Sequence, residues 1–473
     1  MDYQKITLRG TISEKAKWHR RRYRSQSFTT FKVKINNIGA GIAGIQAALD
    51  IADAGYQVYL VEKEPSVGGR MAQLDKTFPT LDCSACILTP KMVDVGRHEN
   101  IELLTYSEVT EIKRDQGSFL ATIRKKSRYV DIDKCTGCGE CATACRMAGR
   151  ITSEFDAGMG KRSSIYVPFP QAVPLKYTID PDACLFLTRG TCGKTFKCKD
   201  ACPIDAIDFD MKDEVIEQRV ETIIVATGFD TFDAKAKPEL GYGTYPEVIT
   251  GLEFERLVAA SGPTLGKVKV GDSYPRDVVF IHCVGSRDRT IDHPWCSRVC
   301  CMYTAKQAHL IHEKLPDSRV TVFYMDIRAF GKGFEEFYDR VREEGAVYRR
   351  GNPAEVLRRN GRLVVRAEDT ILGDFVEVEA DLVVLAVGLQ PRKDTVQLAE
   401  MLDLEFSPDG FFLEKHHKIG PVDTEQTNVF LAGCAQGPKD IPDTVAHAKA
   451  AASSAMIAMR EMELAVKDLV QIG

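Results

Sequence analysis

The sequence contains no run of about 18 consecutive apolar residues, and its N-terminus is polar. The first absence predicts that no helix crosses a membrane. The second predicts that no secretory signal peptide is present, so we expect a cytoplasmic protein. The net charge of −4 is too small to indicate an acidic or a basic partner. A chain of 473 residues is long enough for two or three domains.

A glycine-rich phosphate loop is missing from one place where it is expected. Residues 277–282 (DVVFIH) are typical of a buried strand, which in pyridine-nucleotide flavoenzymes leads into a second G-x-G-x-x-G. Here the strand leads to CVGSR and four cysteines within 19 residues. The sequence therefore predicts a cluster at this position instead of NAD(P)H, with buried structural cysteines as the alternative.

Cysteine is abundant, with 15 residues. In a large cytosolic chain such residues are more often metal ligands than disulfides. The spacing C-x2-C-x2-C-x3-C of the first group is that of a ferredoxin, in which thiolates hold a [4Fe–4S] cluster. Twelve cysteines form three groups of four and predict three such clusters in an anoxic compartment: Cys135, Cys138, Cys141, Cys145; Cys184, Cys192, Cys198, Cys202; and Cys283, Cys296, Cys300, Cys301.

The first two groups are expected to exchange their fourth ligands, as in two-cluster ferredoxins. The second cluster has irregular spacing, and Arg146 stands where a proline usually follows. A zinc site is the alternative. The predicted sets are Cys135, Cys138, Cys141 and Cys202 for one cluster, and Cys184, Cys192, Cys198 and Cys145 for the other.

A dinucleotide-binding fingerprint precedes all three groups. Residues 39–44 form a G-x-G-x-x-G before a helical run at 45–54 and a strand at 58–61, and Glu62 follows where a carboxylate binds a ribose hydroxyl. Later motifs favour FAD over NAD, and one of them has Cys434 where flavoproteins usually have Asp. The predicted FAD-binding residues are Gly39, Gly41, Gly44, Glu62, Gly69, Arg70, Gly228 and Gly433.

Two further features leave alternatives open. Cys83 and Cys86 form a C-x2-C that is interpreted as a redox dithiol, a structural pair or part of a ligand set.

The basic run at residues 14–24 is interpreted as a solvated, disordered tail, with a nucleic-acid-binding arm as the alternative. The strand before the glycines contains Asn36 and Asn37, which are poor residues for a buried parallel strand, so this N-terminal stretch is suspected not to be native to the fold.

From about residue 38 to 460 the chain resembles the HdrA family, the flavin-containing component of heterodisulfide reductases. The resemblance is carried by residues 71–75 (MAQLD), 82–86 (DCSAC), 165–180, 282–303 and 433–442 (GCAQGPKDIP). It implies an α/β fold, namely a thioredoxin-reductase-like flavoprotein with two dinucleotide folds and an inserted ferredoxin-like α+β domain. The expected domains are a tail (1–30), the FAD domain in three parts (31–128, 213–250 and 379–473), the insert (129–212) and the second Rossmann-like domain (251–378).

The resemblance also implies partners and a residue role. The partners are heterodisulfide-reductase-like B and C subunits, a hydrogenase- or dehydrogenase-type electron donor and ferredoxin, around a homodimer and without nucleic acid. Lys306 is implied to lie near the flavin, little more than one helical turn beyond Cys301, with a solvated surface lysine as the alternative. The long forms of the family contain N-terminal and C-terminal cluster domains that are not expected here.

Three functions are then open. The first is an oxidoreductase component whose FAD takes an electron pair and splits it between a high-potential and a low-potential acceptor, that is, flavin-based electron bifurcation. The second is a module that relays electrons without splitting them. The third is a stand-alone disulfide reductase that uses Cys83 and Cys86.

Overall fold

The computed structural model describes residues 34–115 and 117–471, so the predicted tail at 1–30 lies outside the described residues. The helices are α1 (Ile42–Asp53), α2 (Ser84–Arg97), α3 (Glu140–Ala144), α4 (Leu185–Arg189), α5 (Lys197–Asp200), α6 (Gly251–Val258), α7 (Cys300–Lys314), α8 (Phe334–Glu343), α9 (Thr395–Leu402) and α10 (Ile441–Gln471). None of these helices is both long enough and apolar enough to span a bilayer.

The strands are β1 (Lys34–Ile38), β2 (Gln57–Glu62), β3 (Lys76–Thr77), β4 (Asp82–Cys83), β5 (Ile101–Thr105), β6 (Ser107–Asp115), β7 (Ser118–Lys125), β8 (Ile151–Thr152), β9 (Lys161–Arg162), β10 (Ile165–Tyr166), β11 (Thr178–Ile179), β12 (Glu214–Val220), β13 (Thr222–Val225), β14 (Asp230–Thr231), β15 (Val248–Thr250), β16 (Asp277–Val284), β17 (Arg319–Tyr324), β18 (Val347–Arg350), β19 (Pro353–Arg359), β20 (Arg362–Asp369), β21 (Asp374–Ala380), β22 (Leu382–Val387), β23 (Leu389–Gln390) and β24 (Val429–Leu431).

Two parallel sheets form the body of the molecule. The first has five strands in the order β24-β13-β1-β2-β5, and the second has five in the order β15-β22-β16-β17-β18. Each is covered on one face by helices and on the other by a three-stranded antiparallel sheet, β12-β7-β6 or β19-β20-β21. Because both faces are buried, the central strands are almost continuously apolar, as in the LVVLAV of β22.

The cysteine-rich insert leaves the first dinucleotide fold between β7 and β12. These two strands pair with each other along their length, so the chain departs and returns at neighbouring points. The helices of the insert are four or five residues long. Its apolar core is small, with Val130, Ile165, Ile179, Ala206 and Ile207 packed around the cysteines themselves. A core of this size needs additional cross-links to be stable, and iron–thiolate bonds are suitable ones.

The strand with the two asparagines lies at the centre of the first sheet. β1 pairs in parallel with β13 on one side and β2 on the other. Asn36 and Asn37 are both fully buried. The Asn37 side-chain amide donates to Gly44 O, whereas neither side-chain polar atom of Asn36 has a hydrogen-bond partner. The strand thus forms in spite of residues that disfavour it.

Candidate functional site

A cavity of about 1040 Å³ lies between the two dinucleotide folds and the insert. The first fold contributes the loops after β1, β2 and β13, and the second contributes one face of α7. The insert contributes Phe155, Tyr166 and Phe169, and none of these three was predicted as a site residue. The volume slightly exceeds the range of about 300–1,000 Å³ that is usual for small-molecule sites, so the cavity is large enough for a dinucleotide.

The glycine loop has the backbone geometry of a phosphate cradle. Gly39 follows β1 with a φ of +103°, and a Cβ there would lie 2.5 Å from Ala226 O. Glu62, at the end of β2, accepts hydrogen bonds from the backbone N–H groups of Ala40 (2.7 Å) and Glu64 (3.0 Å). Burial raises the pKa of the Glu62 carboxyl. These features fit the pyrophosphate and ribose of a dinucleotide such as FAD.

The cavity wall includes six of the eight residues predicted to bind FAD: Gly39, Gly41, Glu62, Gly69, Arg70 and Gly228. Gly44 and Gly433 lie behind the wall. A Cβ on Gly44 would be 1.8 Å from Gly39 O, and one on Gly433 would be 2.7 Å from Ala43 Cβ. These two glycines therefore allow close packing within the protein, and their predicted contact with FAD stays a prediction.

At the far side of the cavity, the segment before α10 adds groups that the glycine motif did not predict. Cys434 is buried and contacts Lys439 O (3.5 Å) and Thr444 Oγ1 (3.7 Å) through its thiol. Lys439 also lines the cavity, and burial lowers the pKa of its ammonium. A cation and a helix N-terminus at this position would both stabilise negative charge on a bound ring system.

Cys135, Cys138, Cys141 and Cys202 come together at one end of the insert. Burial, followed by the charges of the other three thiols, raises the pKa of Cys141 to about 12. Gly137, with a φ of +77°, shapes the loop between the first two cysteines, and a Cβ there would lie 2.8 Å from Leu175 O. Cys138 is exposed and Cys135 is buried.

Cys145, Cys184, Cys192 and Cys198 come together at the other end. All four line one small cavity in the insert. Burial and the charges of Cys145, Cys184 and Cys192 raise the pKa of Cys198 to about 11. Arg146, which stands where a ferredoxin has proline, contributes to the same cavity wall and interacts electrostatically with Cys192. The structure thus brings the cysteines together in the crossed pattern expected from the sequence.

The third group lies where β16 ends and α7 begins. Cys283 has a φ of +58°, which is rare for a non-glycine residue, and the register of β16 shifts between Ile281 and Val284. Cys300 hydrogen-bonds to the Cys283 thiol, and this bond followed by burial raises the pKa of Cys300 well above its usual value. The charges of Cys301 and Cys296 also raise the pKa of Cys300, so all four thiols are close together.

The chemistry of these three groups fits iron–sulfur clusters. Crowded, buried thiols are costly to ionise together, and cationic iron would offset that cost because metal ligands must be thiolates. Within the described ranges, no three His, Cys, Asp or Glu side chains converge closely enough to hold a single metal ion. The roles of the cysteines as ligands stay predictions.

α7 connects the third cysteine group to the cavity. Cys300 and Cys301 occupy its first turn, and Tyr303, Lys306 and Gln307 line the cavity from the next turns. Lys306 is 1% exposed. The alternative of a solvated surface lysine is therefore wrong. Its ammonium forms an ion pair of 2.6 Å with Glu255 of α6, a residue that no sequence motif indicates.

Cys83 and Cys86 lie apart from the three groups, at the start of α2. Both are exposed, and the backbone N–H of Cys86 donates to Cys83 Sγ at 3.3 Å. Cys83 pairs with Lys76 in the β3–β4 hairpin, and Lys76 lines the cavity. The two cysteines thus lie near the cavity edge without contributing to its wall.

Comparison with known proteins places these features in context. Residues 38–94 match the family of NAD(P)-binding Rossmann-like domains, and residues 128–147 match the family of 4Fe-4S binding domains. The thioredoxin reductases of T. acidophilum and Lactococcus lactis have TM-scores of 0.51 and 0.50 with 14% identity, covering 92% and 91% of this chain and all of theirs. The predicted fold class is confirmed.

Several curated relatives are much more similar in sequence. The HdrA protein of the H2:CoB-CoM heterodisulfide,ferredoxin reductase of Methanothermobacter thermautotrophicus is 54% identical over 439 residues, which is 92% of this chain and 65% of that protein. An iron–sulfur HdrA protein of the CoB–CoM heterodisulfide reductase of Methanopyrus kandleri is 52% identical, over 94% of this chain and 68% of that protein. The chain therefore spans about two thirds of the length of these relatives.

Proposed function

Because the chain belongs to the HdrA family of heterodisulfide reductase components, we propose that it is the FAD- and iron–sulfur-containing electron-transfer component of a heterodisulfide-reductase-type oxidoreductase. The finer proposal is that electron pairs are split at the flavin between a high-potential and a low-potential acceptor. FAD would supply the two-electron chemistry, since flavins exchange both electron pairs and single electrons. The cysteine groups would hold three [4Fe–4S] clusters.

The observation that carries this proposal is the position of α7. One helix holds two cysteines of the third group in its first turn and places Tyr303, Lys306 and Gln307 on the cavity wall. In a two-dinucleotide fold, the second domain normally presents its nucleotide to the flavin. A cluster held by the cysteines at that position would be a one-electron carrier where a hydride donor would otherwise be.

The residues of the cavity have distinct tasks in this proposal. The backbone around Gly39 and Gly41 and the carboxylate of Glu62 bind the pyrophosphate and ribose. Tyr303 is held by a hydrogen bond from its Oη to Val387 O (2.8 Å) and closes the wall toward the third cysteine group. Phe155 stacks on Phe169 with ring centroids 4.5 Å apart, and both rings line the cavity, so the insert would give a bound flavin an apolar contact surface.

The partners are proposed from the names of the relatives. Those names include hydrogen, ferredoxin and, for the protein of Methanosarcina acetivorans, reduced F420 as electron donors or acceptors. We propose that this chain works with heterodisulfide-reductase-like B and C subunits, a hydrogenase- or dehydrogenase-type donor and ferredoxin, within a complex built on a homodimer. Cys138 is the exposed member of its group, which makes that end of the insert the proposed exit for electrons.

Potentiometry on anaerobically purified protein tests the splitting proposal. If the flavin splits electron pairs, loss of its first electron must occur at high potential and loss of its second at low potential. A relay without splitting predicts that the first electron is lost at the lower potential and the second at the higher one. That result would reject electron splitting and would leave the proposal of an electron-transfer component in place. Direct bleaching of the flavin by micromolar NADH or NADPH would contradict the interpretation of the second fold, which has no phosphate loop.

The third function, a disulfide reductase that uses Cys83 and Cys86, has one observation in its favour. Both thiols are exposed, and they lie in contact at a helix N-terminus. Heterodisulfide turnover by the single chain, abolished in Cys83→Ser, would support this function. Absence of such turnover, with flavin and clusters intact, is the outcome that we expect.

A further inference from the structure

The ion pair between Lys306 and Glu255 is buried in the wall of the flavin cavity. Both side chains are 2% exposed, and their charged atoms are 2.6 Å apart. Both residues line the cavity. They belong to different helices, since Glu255 lies in α6 and Lys306 in α7. A buried charge of either sign is stable only when a partner compensates it.

Three segments fix the geometry of this pair. Glu255 Oε1 also accepts from Gln307 Nε2 (2.6 Å), and Glu255 Oε2 accepts from the backbone N–H of Asp75 (3.1 Å). The ammonium of Lys306 donates to Lys76 O at 2.9 Å. An ammonium has three hydrogens, and these contacts use two of them. The third hydrogen has no partner among the described residues, and because Lys306 lines the cavity, this hydrogen is available to a group bound there.

The pair has no net charge, which changes what Lys306 can contribute. With the carboxylate 2.6 Å from its ammonium, Lys306 acts on the cavity as an oriented hydrogen-bond donor and only weakly as a cation. Lys439 is the contrasting case. Its ammonium donates to Gln436 Oε1 and Gly437 O. Among the side chains described in residues 34–115 and 117–465, no carboxylate lies within ion-pair distance of it, and Glu414 and Asp443 act on it only at longer range.

We propose that Glu255 is a positioning residue for the flavin, which holds the Lys306 ammonium against the cavity and cancels its charge. The net positive charge offered to a reduced, anionic flavin then comes from Lys439. This inference rests on the proposed function, because it takes the occupant of the cavity to be FAD.

A pair of single variants and their combination test the inference. Glu255→Gln keeps the shape of the side chain but leaves Lys306 uncompensated, so it should favour reduced flavin. We expect at least a tenfold change in the ratio of reduced to oxidised flavin, equivalent to about +30 mV for a two-electron couple. Lys306→Met leaves the carboxylate uncompensated and should shift the ratio at least tenfold in the opposite direction.

The double variant Glu255→Gln/Lys306→Met removes both charges, so the flavin potential should return to within threefold of the wild-type ratio. It also keeps the test available if one single variant does not fold, because loss of both partners of a buried pair is tolerated better than loss of one. Potentials that are the same in all three variants would overturn the inference, as would shifts of the same sign in the two single variants.

Glu377→Gln is the matched control. Glu377 lies in β21, does not line the cavity, and forms ion pairs with Arg359 and Arg366 at the surface, where solvent screens the charge. Its removal should leave the flavin potential unchanged. Wild-type protein without bound FAD would mean that the proposed function has failed. FAD bound at one per chain, with a potential insensitive to Glu255→Gln, would mean that only this inference has failed.

Discussion

At the scale of single residues, Asn36 is the clearest conflict between the sequence and the fold. It occupies the central strand of a parallel sheet, fully buried, with both polar side-chain atoms unpartnered. Leaving such a group unsatisfied costs about 1–3 kcal/mol. The strand forms because the flanking segments, rather than β1 itself, favour the pairing. The two asparagines led to the suspicion that this stretch is not native to the fold, and for residues 34–38 that suspicion is wrong, because they pair with strands on both sides.

We predict that Asn36→Val stabilises the protein by about 1–3 kcal/mol, because it removes two unsatisfied polar atoms and adds a β-branched residue. The measurement is the free energy of unfolding from urea denaturation. Asn37→Val is the control, since it also removes the hydrogen bond to Gly44 O (2.7 Å). Equal effects of the two substitutions would contradict the explanation.

The titration of His447 should make the stability of the protein depend on pH. Its Nδ1 accepts from Gly433 N (3.0 Å) and its Nε2 contacts Pro421 O (3.1 Å), so the ring is held in its neutral form. Burial, and then the charge of Lys439, lowers its pKa to about 4. The unfolded state binds the proton more readily than the folded state. The contribution of the neutral His447 ring to the free energy of unfolding is therefore complete above about pH 6.5 and is lost as the pH falls toward 4.

His447→Gln retains a donor and an acceptor but does not titrate in this range. Urea denaturation between pH 4 and 7 should therefore show a shallower dependence of stability on pH in the variant than in the wild type. Parallel curves would mean that His447 is not responsible for the dependence.

At the scale of elements, the glycine motif could be predicted from the sequence with its supporting strand, helix and acid, and the structure has them at nearly the expected residues. The different roles of its individual glycines could be seen only in the structure. Gly44 in α1 packs against Gly39 O, whereas the nearest described atom to a Cβ on Gly41 is Gly69 Cα at 4.0 Å. Gly41 itself borders the cavity.

We predict that alanine at these two positions gives different results. Gly44→Ala should lower the free energy of unfolding of FAD-free protein by about 1–3 kcal/mol, because the added methyl group overlaps the backbone. Gly41→Ala should leave that free energy within about 1 kcal/mol of the wild type and weaken FAD binding at least tenfold. Flavin fluorescence titration measures the affinity. Similar effects of both substitutions on unfolding would refute the distinction.

Contacts between elements were the part of the site that sequence reasoning missed. Lys306 was identified through its distance from Cys301, but Glu255 comes from α6 and carries no motif. Phe155 and Tyr166 reach the cavity only because the insert folds back over the first dinucleotide fold. Such residues depend on how domains pack, and neither residue type nor spacing indicates that packing in a single sequence.

At the scale of the whole molecule, the three cysteine groups predict the composition of the protein. Anaerobically purified chain should contain about 12 irons, from three clusters of four, and one FAD. Cys300→Ser should lose about four irons and keep its FAD, because this group lies in the second fold and not in the glycine loop. Metal analysis by mass spectrometry measures the iron, and the flavin absorbance measures the FAD. About eight irons in the wild type would reject one group, and zinc in place of iron would reject electron transfer through the cysteine groups.

The crossing of cysteines in the insert has a consequence for how the protein matures in the cell. Cys202 lies with the three cysteines that begin at Cys135, and Cys145 lies with those that begin at Cys184. If each of these two groups holds a cluster, neither site would be complete until both segments of the insert have come together. Delivery of iron to one site would then help to position the thiols of the other, so we expect inserts that carry iron in one site alone to be rare.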